Sequence, residues 1–79
     1  MATRAYILIE TSVGKTKDVV TQLRSHRGVR TADSVTGSFD VIAVVESEDL
    51  NAVGDLVTRR IQALDGIVPT MTCLSVGRS

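Results

Sequence analysis

Few side chains in this chain could carry covalent or acid–base chemistry. His26 is the only histidine and Cys73 the only cysteine. His26 stands beside Arg27 just before Gly28, where a positive group suits the end of a helix, so a structural role is expected. Cys73 sits in an apolar run and reads as a buried, inert thiol; with no second cysteine there is no intramolecular disulfide. No group of His, Cys and carboxylates has metal-ligand spacing, so no metal and no cofactor are expected. Gly14-Lys15-Thr16 lacks the upstream glycine of a phosphate loop, and Glu48-Asp49 reads as a helix start, not as an acid–base pair. Two segments hold material for binding. Gly37-Ser38-Phe39-Asp40 places a flexible turn, backbone donors, an aromatic ring and a carboxylate in four successive residues. Thr70-Met71-Thr72 places two hydroxyls on one side of a strand with a soft apolar side chain between them. A zwitterionic amino acid needs donors for its carboxylate, an acceptor for its ammonium and an apolar wall, and the two segments contain all three. Their plainer readings are a turn whose Asp40 bonds locally and threonines chosen for strand propensity.

The elements that would position these residues follow from periodicity. Ala5 to Ile9 is a short β-rich run. Ser12 is a candidate cap for a helix with Val19, Val20 and Leu23 on one side, His26 and Arg27 in its last turn, and Gly28 as a left-handed stop. Val29 to Thr36 is β-tolerant but polar, Gly37-Ser38 suits a tight hairpin turn with positive φ at Gly37, and Phe39 to Val45 is strongly apolar. Ser47 is a candidate cap for a second helix whose stripe is Leu50, Val53, Val57, Ile61 and Leu64. Gly54 interrupts that helix at a cost of about 1 kcal/mol relative to Ala. Gly66 stops it, and Ile67 to Val76 closes the chain as a strand. The order βαββαβ in 79 residues points to an α+β, ferredoxin-like fold, a single domain over 1–79 with a four-stranded antiparallel sheet and two helices on one face. The first and third strands, central in that topology, are the most apolar, while Pro69 falls in the fourth, at an edge.

Strand alternation allows each face of that sheet to be inspected. Ile7 and Ile9 share one side of the first strand and Tyr6 and Leu8 the other; Val41, Ala43 and Val45 oppose Ile42 and Val44 in the third. Both faces are apolar, yet two helices cover only one. The expected remedy is a second copy packed sheet to sheet, a homodimer through Tyr6, Leu8, Ile42 and Val44.

The motifs Ala5-Tyr6-Ile7-Leu8, Gly37-Ser38-Phe39-Asp40, and Leu64-Asp65-Gly66-Ile67 followed by Thr70-Met71-Thr72 resemble, in order and spacing, the effector-binding RAM module of Lrp/AsnC transcriptional regulators. The resemblance spans essentially the whole chain. It implies a ferredoxin-like fold, dimerisation through the sheets into a dimeric α+β barrel, assembly into octameric rings, and amino acids or related small molecules bound between subunits. It assigns Gly37, Ser38, Phe39 and Asp40 to the effector loop, where Ser38 replaces the usual Asp or Asn, and Thr70, Met71 and Thr72 to the last strand near the same interface. Full regulators add an N-terminal helix-turn-helix domain, so the chain looks like a stand-alone form that could pair with a full-length regulator.

Composition limits the other functions. Nine basic residues balance nine acidic ones, and Tyr6 and Phe39 are the only aromatics, which suits neither phosphate neutralisation nor base stacking, so no direct nucleic-acid binding is expected. No apolar run approaches the roughly 18 residues of a membrane span, and Glu10 and Thr11 end the first apolar stretch, so a cytoplasmic location is expected. The expectation is a non-catalytic amino-acid-binding and oligomerisation module. The competing readings are a small dimeric α+β barrel enzyme, monooxygenase- or isomerase-like, and a ligand-free assembly partner.

Overall fold

In the computed structural model, which describes residues 3–75 with the side chains of Pro69 and Thr70 outside the described set, the sheet order is β2-β3-β1-β4. Its strands are β1 (Thr3–Thr11), β2 (Val29–Ser34), β3 (Val41–Ser47) and β4 (Ile67–Leu74). All neighbours are antiparallel, so the two most apolar strands are central and the polar and Pro-bearing ones lie at the edges. This is the expected ferredoxin-like arrangement. The register between β1 and β4 shifts between Ile9 and Thr11, and Pro69 falls within that irregular stretch, where a missing ladder donor is tolerated.

Register assigns every side chain to a face. Ala5, Ile7 and Ile9 pair with Val45, Ala43 and Val41, and all six are fully buried against the helices. Helix α1 (Thr16–Arg24) presents Val19, Val20 and Leu23 to this layer and packs over β2 and β3. Helix α2 (Leu50–Asp55) continues into a π-helical segment, Leu56–Ile61, and Val53, Val57 and Ile61 complete the core over β3 and β1.

Several local expectations are corrected. The cap of α2 is Asp49, whose carboxylate accepts the Ala52 N–H at 2.8 Å, instead of Ser47. Ser12 does not cap α1, which begins four residues later behind Lys15; the Ser12 N–H instead donates to the Gly66 carbonyl at 2.7 Å. His26 and Arg27 lie beyond the end of α1, whose last turn holds Arg24. Gly28 does not adopt positive φ; a β-carbon there would stand 2.7 Å from Leu56 Cδ2, so close packing and not handedness selects glycine. Leu50 opens α2 on its solvent side and is exposed, so the buried stripe starts at Val53. Cys73 is exposed, because β4 is an edge strand and Cys73 points away from the helices, opposite Tyr6.

Candidate functional site

The β2–β3 connection is longer than a two-residue hairpin. It runs from Val35 to Asp40 and is closed by the Val35 N–H donating to the Asp40 carbonyl at 2.9 Å. Gly37 has φ +130°, as its place in a tight turn requires, and nothing crowds it. Gly37 and Ser38 are exposed, while Phe39 and Asp40 are half-buried.

Asp40 does not serve its own turn. Its Oδ2 accepts the Thr11 backbone N–H at 2.8 Å and the Thr11 hydroxyl at 3.2 Å. The Asp40 N–H donates to the Ile9 carbonyl at 2.9 Å, so one residue seals the loop to the end of β1 through backbone and side chain alike. The contact continues: the Thr11 and Thr16 hydroxyls meet at 2.7 Å, joining the loop to the start of α1. On the other side, Gly66 (φ +92°) lies so close to Lys15 that an added β-carbon would stand 2.7 Å from Lys15 Cβ, and Lys15 Nζ pairs with Asp65 at 3.3 Å. Sequence patterns missed Thr11, Thr16 and Lys15 in this cluster. Thr11 and Asp40 are 29 residues apart, and neither residue type signals the other.

The last-strand segment approaches the same end of the sheet from the far side of β1. Ile9 is the register partner of both Val41 and Thr70, so the backbones of β3 and β4 flank it about 10 Å apart, two strand spacings. Thr70's side chain lies outside the described residues. Thr72 pairs with Ile7 on the helix side, yet it is exposed, because the helical layer lies over β2, β3 and β1 and stops short of β4. Met71 pairs with Leu8 on the opposite side and is 51% exposed. The two segments therefore share one end of the sheet, on opposite sides of β1.

The face away from the helices carries Tyr6, Leu8, Ile42, Val44 and Met71, brought together by the pairs Tyr6↔Val44, Leu8↔Ile42 and Leu8↔Met71. The cross-strand pair Arg4–Glu46 bounds this apolar area on the Thr3–Ser47 side. Arg4 donates to Glu46 Oε2 at 3.0 and 2.7 Å, and Arg30 approaches the same carboxylate at 3.7 Å. The hydrogen bond from Arg4 is the main cause holding the Glu46 carboxyl below its ordinary range. No trio of metal-binding side chains occurs among the described residues, and no described helix is long and apolar enough to cross a membrane.

The result is a ferredoxin-like sheet with one apolar face that no described element covers and with its polar candidates on a loop and an edge strand. The family model of the Lrp/AsnC ligand binding domain matches residues 4–78, and the chain belongs to that family of effector-binding regulatory modules. The structure is similar to that of FFRP-DM1, at 30% identity over 94% of this chain and 99% of that one, with a TM-score of 0.90. It is also similar to TTHA0845 from Thermus thermophilus, at 27% identity over 98% and 96% of the two chains, with a TM-score of 0.92. Escherichia coli AsnC shares the fold, with 22% identity over 96% of this chain, a TM-score of 0.90, and only 52% of its own length covered. No curated protein matches the chain.

Proposed function

We propose that this chain is a non-catalytic module, one domain over residues 1–79, that binds an amino acid or related small molecule between copies of itself and acts in the regulation of amino acid metabolism. The observation that carries the reading is the bare apolar face. Tyr6, Leu8, Ile42, Val44 and Met71 form one surface that no described element covers, and soluble proteins rarely leave such a surface in water. A second copy packed on it by two-fold symmetry gives the dimer, and dimers close into an octamer or similar ring in the cytoplasm. The effector site comprises Gly37, Ser38, Phe39 and Asp40 from one copy together with Thr70, Met71 and Thr72 from a neighbour, since within one chain the two segments lie on opposite sides of β1. Any effect on transcription passes through a partner such as a full-length regulator, because the balanced charge gives no stripe for duplex DNA.

Asp40 enters this site as a positioning residue. Its Oδ2 is already engaged by Thr11, so it holds the loop, and Gly37 and Ser38 present backbone donors. Thermal-shift screening against the common amino acids tests the reading, since a ligand at about 100 times its Kd stabilises by about 2.7 kcal/mol. The expected result is one stabilising amino acid and a particle larger than the 8.4 kDa monomer by light scattering. A stable monomer that no amino acid stabilises overturns it. An assembled particle that no amino acid stabilises supports the ligand-free assembly partner.

A further inference from the structure

At the far end of β2 from the effector loop, a cleft of about 410 Å³ opens between the α1–β2 turn and the π-helical segment. Ser25, His26, Arg27, Gly28, Leu56 and Arg60 line it, and none of them is acidic. Most of the other cations among the described residues are spent. Arg4, Lys15, Arg24, Arg30 and Arg59 each face a carboxylate. Arg27 and Arg60 have no ionic partner among the described residues, and both border the same opening. The backbone N–H groups of Arg27 and Gly28 also have no acceptor among the described residues, while the Gly28 carbonyl is occupied by the Glu46 N–H at 3.0 Å.

We infer that this cleft is a second binding site, for the phosphate group of a small phosphorylated molecule. Two guanidinium forks, the His26 ring and two backbone donors outnumber what one carboxylate can accept, and they match the oxygens and the double charge of a phosphate. The C-terminal end of α1 opposes an anion with about half a charge, which two arginines outweigh. The volume falls in the range of small-molecule clefts, larger than a bare ion needs, and Leu56 offers an apolar wall for the organic part. Local packing shapes one wall of the cleft. The absence of a β-carbon at Gly28 lets the turn close onto Leu56, and Leu56 and Arg60 rise from one turn of the π-helical segment. The site is separate from the amino-acid site proposed above, and neither reading needs the other.

The test is an amide NMR titration of the full chain with inorganic pyrophosphate at fixed ionic strength, with a short DNA duplex in a second arm. The expected result is saturable shifts at the Arg27 and Gly28 amides, weakened about three- to tenfold by Arg27→Gln or Arg60→Gln. Lys17→Gln, which removes an exposed charge elsewhere, leaves the affinity unchanged. The inference is overturned by no saturation up to about 10 mM. It is equally overturned by a Lys17→Gln loss as large as that of Arg60→Gln, or by duplex DNA shifting the same amides at lower concentration than pyrophosphate.

Discussion

The two faces of the sheet are built from the same kinds of residue and meet different fates. Ile7 and Ile9 are fully buried beneath the helices, while Tyr6, one position away, is 38% exposed on a face that no described element covers. The helix side is filled by α1, α2 and the π-helical segment; the other side is equally apolar and bare. Apolar alternation therefore identifies surfaces that must be covered, but not what covers each one. One is closed by the chain's own helices, and the other is covered by no described element.

Parallel truncations give the largest separation between the faces. Ile7→Ala leaves a cavity in a closed core and is expected to cost about 2–5 kcal/mol, read as a lower denaturation midpoint that does not vary with protein concentration. Leu8→Ala is expected to lower the midpoint in a concentration-dependent way, because its loss falls on association. A concentration-independent loss at Leu8 equal to that at Ile7 would remove the distinction between the faces.

Asp40 ties the loop to the end of β1 through its backbone and its side chain. Asp40→Asn keeps the size but weakens the charge-assisted bond from the part-buried Thr11 N–H, with an expected stability loss of about 1–2 kcal/mol by chemical denaturation. Effector affinity should fall less than for a direct ammonium contact, which would lose about tenfold to a hundredfold. A large affinity loss with unchanged stability would make Asp40 a ligand group instead.

The helical cover is itself not optimised. A β-carbon at Gly54 would meet nothing within 4 Å, and its φ is not positive, so Gly54→Ala should raise stability by about 0.5–1 kcal/mol in thermal melts. A neutral or destabilising result would mean that the open approach at Gly54 is used by something outside this chain. The smallest effect is at the border of the bare face. The Glu46 carboxyl is depressed mainly by its hydrogen bond from Arg4, so its contribution is present above the ordinary glutamate range and is lost as pH falls through the lowered folded value. Glu46→Gln should flatten that acid limb of the stability curve, and an unchanged limb would assign it to other carboxylates.

Much of this fold is legible in local sequence because local sequence controls it. The order of elements, the central place of the two most apolar strands, the left-handed glycine at Gly37 and the two apolar faces all follow from periodicity and backbone sterics, which act within a few residues. Other features depend on neighbours far along the chain. Asp40 reaching Thr11, Gly28 closing on Leu56 and Lys15 packing on Gly66 arise only once β1 lies between β3 and β4 and α2 lies over the core. The exposure of Cys73 has the same origin, since an apolar strand buries a thiol only if something lies over it, and β4 is an edge whose outward side is bare. The cleft between the α1–β2 turn and the π-helical segment likewise appears in no motif. It joins Arg27 and Arg60, which are 33 positions apart, and only the packing of one helical segment against the turn of another brings two charges with no ionic partner among the described residues to a common opening. Sequence alone determined the elements and the apolar character of both faces; tertiary structure decided which long-range contacts join them, because those contacts depend on geometry that no short stretch of chain contains.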